Sequence, residues 1–525
     1  MQRDFQQPGR SAVFAANGMC ATSHPLAAQE ALAILKRGGN AVDAAIAGAV
    51  LLGICEPQMT GIGGDCFVLF KPAGSEDILA LNGSGPAPKA ANADKLRGRG
   101  FARIGETSVQ SVTIPGAVDA FCQLSEKWGK LGLDASLAPA IHYAEAGVPV
   151  APRVAFDLAS QSDVLNDNGR RFYMRDGRAL RTGDLFQAPG QAEVLRRIAK
   201  SGRDGFYSGE VVEDMLATLT KLGGAHRPED FHEYRAAETV PVSGTYADFD
   251  LFEHPPNGQG ATAILILNIL KNFDMPSMEA GSAERLHIEA EASKLAYDAR
   301  NRFIADPSHS ATQRMLSQKV ADGLAGLIRP DRVIDVPASV AEAVHKDTVY
   351  ITVVDRDGMA VSLIYSIFNG FGSGIASEKF GILFQNRGSG FNLIPDHPNE
   401  YGGGKRPMHT IIPGMVKQAG RVTMPFGVMG GQYQPSGHAR FLTNHFVYGM
   451  DLQSAVDFPR AFAEKGRLKL ETGIEEKVAR QLADLGHDVF RSPTPIGGAQ
   501  AIYMHDTGIL EGASDPRKDG IALGY

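Results

Sequence analysis

The hydrophobic pattern of the first fifty residues predicts two helices in succession. Pro25 suits the first turn of a helix, residues 26–37 are mostly strong helix formers, and two glycines follow them. Asn40 is a favourable N-cap for a second helix, whose residues 44–53 are almost wholly apolar. A helix that is apolar on every side has no face for water, so we expect it inside a large protein body.

A glycine-rich loop at residues 56–65 leads from this helix into a predicted strand at 66–70. Phosphate binding is not favoured here, because the loop lacks the P-loop pattern GxxxxGK[ST]. It also precedes a strand, whereas a dinucleotide-binding loop follows a strand and opens a helix.

The remainder of the chain separates into a helical block and a strand block. Residues 115–310 are helix-rich, with one long helix expected at 283–303. The β-branched runs 349–355 and 360–367 are joined by a turn containing Asp-Gly, which predicts a hairpin. Further strands are expected at 381–385, 411–416 and 422–428. Such blocks favour a layered α+β fold over a TIM barrel.

Composition narrows the class of partner. The 525 residues carry 52 basic and 59 acidic side chains without a Lys/Arg-rich run, so we expect no nucleic-acid partner. The most apolar run, residues 44–55, is too short to span a bilayer, so no membrane partner is expected either. The four cysteines form no CxxC pair and the first residues resemble no signal peptide, which favours reduced cysteines and a cytoplasmic location.

One threonine stands at a position suited to chemistry. No GxSxG or HExxH motif is present, but Thr348 opens the predicted hairpin directly after Asp347. A threonine hydroxyl becomes a good nucleophile when the residue is the first of a chain, because its own α-amine, with a pKa of about 8, accepts the proton. That state requires cleavage between Asp347 and Thr348. By itself the position is better explained by the β propensity of threonine, which often begins a strand.

A resemblance favours the chemical explanation. Over nearly its whole length the chain resembles the γ-glutamyltranspeptidase family of N-terminal-nucleophile hydrolases. The matching blocks are SHPLA at 23–27, KRGGNAVDAA at 36–45, EPQ at 56–58, GIGG at 61–64, PG at 115–116, GFYSG at 205–209, PPNG at 255–258, DP at 306–307, DTVYITVVDRDG at 347–358, FGSG at 371–374, KRP at 405–407 and MGG at 429–431.

The resemblance implies a four-layer αββα sandwich made as a proenzyme that cuts itself between Asp347 and Thr348. The large subunit, 1–347, and the small subunit, 348–525, would remain one intertwined catalytic domain, each holding the other as its partner. Thr348 would then be the catalytic nucleophile. Gly430 and Gly431 match the pair whose N–H groups form the oxyanion hole, and Ser366 replaces a threonine that positions the nucleophile's amine. We expect no metal and no organic cofactor, because the nucleophile supplies its own base.

The departures from the family pattern fall where typical members hold the α-amine and α-carboxylate of a γ-glutamyl group. They are Phe368, with its neighbour Asn369, in place of an asparagine, Arg387 in place of a glutamine, Gly390 in place of an aspartate, and His409 and Thr410 in place of tandem serines. Residues 82–88 also lack the arginine that binds the carboxylate. Because an acidic group is lost and a guanidinium gained, the pocket should prefer a small anionic amide without an α-amine.

This combination resembles the oxamate amidohydrolase branch of the family, which converts oxamate to oxalate and ammonia. Arg387 would grip the substrate carboxylate in bidentate fashion, with His409, Thr410 and Asn369 as further substrate-binding residues. In an alternative interpretation, Arg387 merely pairs with a carboxylate on the surface. Residues 388–404 are expected to form a short lid over the site.

The same sequence features are compatible with other functions. A γ-glutamyltransferase or glutathione hydrolase, or an acylase for glutaryl-type amides, would use the same nucleophile. From another class, an uncut and non-catalytic relative would act as a binding or structural protein. The presence of Thr348, Gly430 and Gly431 argues against that last alternative.

Overall fold

The computed structural model describes residues 9–334 and 348–525. In this part of the chain, two seven-stranded sheets lie face to face and helices cover both outer surfaces. All strand neighbours in the two sheets are antiparallel. The αββα sandwich is therefore confirmed.

Strands are numbered along the chain. Sheet I consists, from edge to edge, of β1 (Val13–Ala15), β20 (Leu510–Ser514), β19 (Gly498–Met504), β15 (Arg421–Met429), β14 (Gly414–Gln418), β11 (Phe249–Glu253) and β10 (Val242–Tyr246). Sheet II consists of β21 (Ile521–Gly524), β2 (Met19–Thr22), β12 (Val349–Val354), β13 (Ala360–Ser366), β3 (Asp65–Lys71), β4 (Leu79–Gly83) and β9 (Ala237–Thr239). Smaller sheets join β16 (Ala461–Glu464), β17 (Arg467–Leu470) and β18 (Val489–Arg491), then β5 (Val148–Pro149) and β8 (Leu185–Phe186), then β6 (Met174–Arg175) and β7 (Arg178–Ala179).

The helices are numbered in the same way. They are α1 (Pro25–Lys36), α2 (Ala41–Cys55), α3 (Ala93–Gly98), α4 (Ala117–Trp128), α5 (Leu133–Ala146), α6 (Pro152–Gln161), α7 (Asp167–Tyr173), α8 (Pro189–Ser201), α9 (Asp204–Tyr207), α10 (Gly209–Lys221), α11 (Pro228–His232), α12 (Gly260–Leu270), α13 (Ala283–Phe303), α14 (Thr312–Met315), α15 (Gln318–Ala325), α16 (Gln434–Leu442), α17 (Leu452–Asp457) and α18 (Glu476–Asp484). Helices α1, α2 and α5 belong to the layer outside sheet II, and α12, α13 and α16 to the layer outside sheet I.

The second helix confirms the prediction from its apolar pattern, since every residue of α2 is buried. Asn40 caps it: the side-chain Oδ1 accepts from the N–H groups of Val42 and Asp43, and the Asp43 carboxylate accepts from the N–H of Asn40. The helix packs directly on β12. A Cβ at Gly48 would lie only 2.3 Å from Ile351 Cδ1, so glycine is what permits this close approach.

The predicted hairpin is present as β12 and β13, with Val349 opposite Tyr365 and Val354 opposite Ala360. Both faces of β12 are buried. Val349 and Ile351 belong to the core shared with α2, and Tyr350 contributes to a small cluster between the sheets. The nucleophile candidate therefore stands at the start of a strand held from both sides.

Two strand predictions need correction. Residues 381–385 form no strand, only an isolated bridge between Ala376 and Leu383. Their backbone pairs locally with residues 373–377, and Gly381 has a φ of +67°, which is incompatible with an extended strand. The strand expected at 411–416 begins only at Gly414, because the N–H of Ile412 bonds to the side chain of Gln434 instead of a neighbouring strand.

The cysteines are free thiols, three of them buried, as expected. Within residues 9–334 and 348–525, no helix combines the length and the apolar character needed to cross a membrane. Strands from before residue 335 and from 348 onward are interleaved in both sheets.

Candidate active site

Thr348 is buried at the entrance to β12, with none of its surface exposed. The antiparallel register with β13 brings Ser366, the last residue of that strand, beside it. The Thr348 hydroxyl donates to Ser366 Oγ over 3.2 Å. Asp347, the other residue of the expected cleavage bond, lies outside the described residues.

Ser366 connects the candidate nucleophile to the guanidinium of Arg387. Its Oγ also accepts from the N–H of Phe368 over 2.9 Å and from Arg387 Nη2 over 3.4 Å. These contacts place the Ser366 hydroxyl between the threonine hydroxyl and the guanidinium.

Arg387 is fully buried on a short 3₁₀ turn, Arg387–Gly390. Its Nη1 donates to Thr410 Oγ1 over 3.1 Å, and the guanidinium carbon lies 4.1 Å from the centroid of the Phe368 ring. Nε has no hydrogen-bond partner among the described residues. Burial lowers the pKa of Arg387 to about 9, against the opposing effect of Asp65, so the side chain stays charged at neutral pH.

The alternative interpretation, in which Arg387 pairs with a carboxylate on the surface, is wrong. The side chain is not on the surface, and among residues 9–334 and 348–525 no carboxylate oxygen lies within 4.0 Å of its nitrogens. A buried cation without a contacting anion is costly, which makes the position well suited to an anionic ligand.

His409 faces a carboxylate that our sequence analysis missed. Its Nε2 lies 3.2 Å from Asp65 Oδ2, and both residues are fully buried. Asp65 Oδ1 accepts from Gln385 Nε2 over 2.8 Å and from the N–H groups of Gly85 and Gly116. Burial raises the pKa of Asp65 to about 7, although the nearby Arg387 and these hydrogen bonds act in the opposite direction.

Asp65 qualifies the expectation that the site has lost its acidic group. The resemblance places Gly390 at the aspartate position of typical members. A different carboxylate, that of Asp65, lies close enough to Arg387 to interact electrostatically. In the sequence, Asp65 could have been found as an acidic residue that directly follows the glycine-rich loop and begins the buried strand β3.

Gln259 is a second residue that our sequence analysis did not identify. Its Nε2 donates to the carbonyl oxygens of Thr410 and Gly431, over 2.6 and 3.1 Å. Its Oε1 accepts from Arg300 Nη1 over 2.8 Å, which fixes the orientation of the amide. The Gln259 amide therefore connects Thr410, which contacts Arg387, with Gly431. In the sequence, the one feature that could have pointed to Gln259 is its position directly after the PPNG block at 255–258.

Gly430 and Gly431 follow β15 with φ angles of +118° and +54°, a backbone that favours glycine. A Cβ at Gly430 would lie 2.7 Å from Gly497 Cα, so the position also lacks room for a side chain. Tyr350, two residues after Thr348, packs against Met429. The sandwich therefore brings the end of β15 towards the start of β12.

The structure thus joins most of the predicted residues in one hydrogen-bonded path. The path runs through Thr348, Ser366, Arg387, Thr410, Gln259 and Gly431. His409 adjoins it through Thr410. Asn369 is more peripheral, since it is partly exposed and its N–H donates to Oδ1 of Asn386, the neighbour of Arg387. A buried hydroxyl, a fixed cation and a glycine-lined turn are the parts that acyl transfer from an anionic amide requires.

The segment predicted to be a lid is packed rather than loose. Phe391, Leu393 and Tyr401 form an apolar cluster with Ala93 and Leu96 of α3. Any opening of residues 388–404 would have to break this cluster.

The chain is similar to known proteins over almost its whole length. The family described as Gamma-glutamyltranspeptidase matches residues 27–525. A glutathione hydrolase-like proenzyme of Bacillus subtilis is 34% identical, covering 96% of this chain and 98% of the relative. The oxamate amidohydrolase proenzyme of Klebsiella pneumoniae is also 34% identical, covering 97% of this chain and 98% of the relative. The crystal structure of a cephalosporin acylase from Bacillus halodurans superposes with a TM-score of 0.91 at 36% identity, covering 100% of this chain and 99% of that one.

These matches extend over almost the full length of each partner, and the names of the partners are those of a hydrolase-like proenzyme, an amidohydrolase and an acylase. The chain therefore belongs to the γ-glutamyltranspeptidase family and is a hydrolase of that family, related to proenzymes.

Proposed function

We propose that this protein cleaves itself before Thr348 and then hydrolyses a small anionic amide, with oxamate as the preferred substrate. The observation that carries the proposal is Arg387, a fully buried guanidinium with an unpartnered Nε. It donates to Ser366 Oγ, the same oxygen to which the Thr348 hydroxyl donates. A substrate carboxylate beside it would supply the missing anion and place an adjacent carbonyl near the threonine.

Self-cleavage begins when the Thr348 hydroxyl adds to the carbonyl carbon of Asp347. The C–N bond to Thr348 then breaks, its nitrogen takes up a proton, and an ester links Asp347 to the threonine oxygen. Water hydrolyses the ester, which leaves a free carboxylate on residue 347 and a free α-amine on Thr348. The products, 1–347 and 348–525, remain together because their strands are interleaved in both sheets.

Turnover uses the same hydroxyl. The α-amine of Thr348 accepts the hydroxyl proton as the oxygen adds to the amide carbonyl, and the N–H groups of Gly430 and Gly431 stabilise the oxyanion. Collapse of the tetrahedral intermediate releases ammonia, which takes the proton from the amine, and leaves an oxalyl ester on Thr348. Water then hydrolyses this ester to oxalate and restores the hydroxyl.

The single fixed charge near the nucleophile supports oxamate within this chemistry. Phe368 covers one face of the guanidinium, so Arg387 presents its edge to a ligand. A flat anion with its carboxylate next to the scissile carbonyl fits one fixed cation near the nucleophile. The relative from Klebsiella pneumoniae that is named for this activity adds support.

An acylase function is the second candidate. The likeness to the cephalosporin acylase structure favours it, since Arg387 could equally bind the terminal carboxylate of a glutaryl side chain. A γ-glutamyl hydrolase is less favoured, because a buried cation beside the acyl site opposes a substrate ammonium.

Two measurements test the proposal. Hydrolysis of oxamate, glutaryl anilide and γ-glutamyl anilide is compared under the same conditions, and we expect the highest kcat/KM for oxamate. Strong γ-glutamyl turnover without oxamate turnover would refute the substrate assignment.

Self-cleavage is tested on a denaturing gel with Thr348→Ala and the conservative control Thr348→Ser. We expect two bands for the natural protein and for the serine variant, and one full-length band for the alanine variant. The smaller band should begin Thr-Val-Tyr-Ile. Cleavage of the alanine variant at this bond would show that the threonine is not the nucleophile.

A further inference from the structure

Three side chains of metal-binding type lie together between α13 and α18, away from the candidate active site. His287 and Glu291 are one helical turn apart on α13, and His487 follows α18. All three are buried. One ligand atom from each lies within 4.8 Å of the other two.

The hydrogen bonds of His287 direct a lone pair into this cluster. Its Nε2 lies 2.6 Å from the carbonyl oxygen of Arg329, which can only accept, so Nε2 carries the proton. In the neutral ring, Nδ1 is then unprotonated, and it points at His487 Nε2 over 2.8 Å. A backbone carbonyl that fixes the tautomer of a histidine is the usual outer partner of a metal ligand.

Glu291 supplies the negative charge. Its Oε2 accepts from the N–H of Ile334 over 2.7 Å, and Oε1 accepts from Lys294 over 2.5 Å. Each carboxylate oxygen has a second lone pair available. Lys294 is 26% exposed and can turn to solvent when another cation takes its place.

The scaffold around the cluster is rigid. Leu286 and Ala290 of α13 pack against Leu482 of α18 in one apolar cluster. The turn before His487 is held by backbone bonds from His487 to Leu482 and from Val333 to Leu485. The three ligands are therefore positioned by packed elements, as a selective metal site requires.

We propose that His287 Nδ1, His487 Nε2 and a carboxylate oxygen of Glu291 bind one transition-metal ion of the Zn²⁺ type, with water as the fourth ligand. Two imidazoles and a carboxylate are ligands that Zn²⁺ accepts, with Zn–N distances of about 2.0–2.1 Å. Tetrahedral ligation separates the two nitrogens by about 3.3 Å at these bond lengths. The two rings would thus move apart by about half an ångström from their direct hydrogen bond.

The site is distinct from catalysis, since the proposed nucleophile needs no metal. It has a structural consequence that rests on the proposed cleavage: His287 and Glu291 belong to 1–347 and His487 to 348–525, so the ion would join the two products. Metal binding itself does not depend on cleavage.

The test is titration of metal-free protein with Co²⁺, whose tetrahedral complexes absorb in the visible, combined with zinc analysis after dialysis. We expect one equivalent per chain, and a melting temperature that rises with Zn²⁺ concentration. The variants His487→Gln and Glu291→Gln should bind Co²⁺ at least tenfold more weakly, because loss of even an outer partner of a ligand costs about that much.

The matched control is His445→Gln, which changes a partly buried histidine whose Nδ1 bonds to the Met450 carbonyl. It should bind Co²⁺ as the natural protein does. Thr348→Ala, which is expected to stay uncut, should also bind one equivalent, so the metal result can be told apart from failure of the proposed cleavage. No stoichiometric Co²⁺ spectrum in the natural protein, or unchanged binding in both ligand variants, would overturn the proposal.

Discussion

Replacement of Arg387 by glutamine tests the central electrostatic feature of the site. Glutamine retains an N–H donor but removes the positive charge. In the natural protein this charge is fully buried, lies over the Phe368 ring and has no carboxylate within 4.0 Å among the described residues. We expect the variant to lose activity on oxamate without losing stability.

The size of the loss follows from the burial of the guanidinium. A hydrogen bond to a charged group contributes about 1.5–3 kcal/mol, and a bidentate carboxylate would make two. Because Arg387 is fully buried, solvent screening reduces this little. Part of the gain is offset by the cost of taking the substrate carboxylate out of water. A net loss of about 3–4 kcal/mol corresponds to a fall of about 100- to 1000-fold in kcat/KM.

The assay compares release of ammonia from oxamate and from oxamide, its neutral counterpart. The two substrates differ only in the group that Arg387 is proposed to bind. We expect kcat/KM for oxamate to fall by about 100- to 1000-fold and kcat/KM for oxamide to fall by less than about tenfold. The melting temperature should stay the same or rise, because the variant no longer holds a buried and incompletely paired cation.

The control is Arg421→Gln, which removes an exposed arginine paired with Asp506 and should leave both substrates unaffected. Equal losses for oxamate and oxamide in Arg387→Gln would refute the reasoning, since they would show that the charge of the substrate is not recognised at this position. A large fall in melting temperature would equally contradict a role in binding rather than in folding.

Three further predictions concern neighbouring residues. Ser366→Ala removes the acceptor of the Thr348 hydroxyl, so kcat for oxamate should fall about tenfold with little change in KM, as measured by steady-state kinetics. Burial raises the pKa of Asp65 to about 7, so its ionisation between pH 6 and 8 adds negative charge near Arg387. KM for oxamate should therefore rise across that range, and Asp65→Asn should flatten the rise. Asn40→Ala deletes the cap of α2 and should lower the free energy of unfolding by about 1 kcal/mol in urea denaturation.

Each of these has its own control. Ser366→Thr keeps the hydroxyl and should restore kcat, whereas a rise in KM at unchanged kcat would argue against a positioning role. For Asp65, the same pH slope in the natural protein and the asparagine variant would assign the titration to another group. Asn40→Ser keeps a capping oxygen, although it loses the Nδ2 donor to the Trp128 carbonyl, and should lose less stability than the alanine variant. An alanine variant of natural stability would mean that the cap contributes nothing.

Local sequence patterns were sufficient to predict several helices and strands of the sandwich. The buried helix α2, its Asn40 cap and the β12–β13 hairpin depend on residues close together in the chain, where side-chain periodicity and turn chemistry act directly. The resemblance then predicted the αββα sandwich and the positions of Thr348 and the glycine pair, whose catalytic roles stay predictions. The apolar run 381–385 was misassigned because its burial suits a strand equally well, while its backbone bonds are those of an irregular turn.

The environment of the charged residues was decided by tertiary structure alone. Asp65 and His409 are separated by 344 residues, and His287 and His487 by 200, so nothing in their local sequence indicates that they meet. The arginine at position 387 could be read from the sequence, but whether it would be paired at the surface or buried without an anion could not. Pairing and desolvation depend on which groups the two packed sheets bring within a few ångströms, and that is a property of the folded chain rather than of any segment of it.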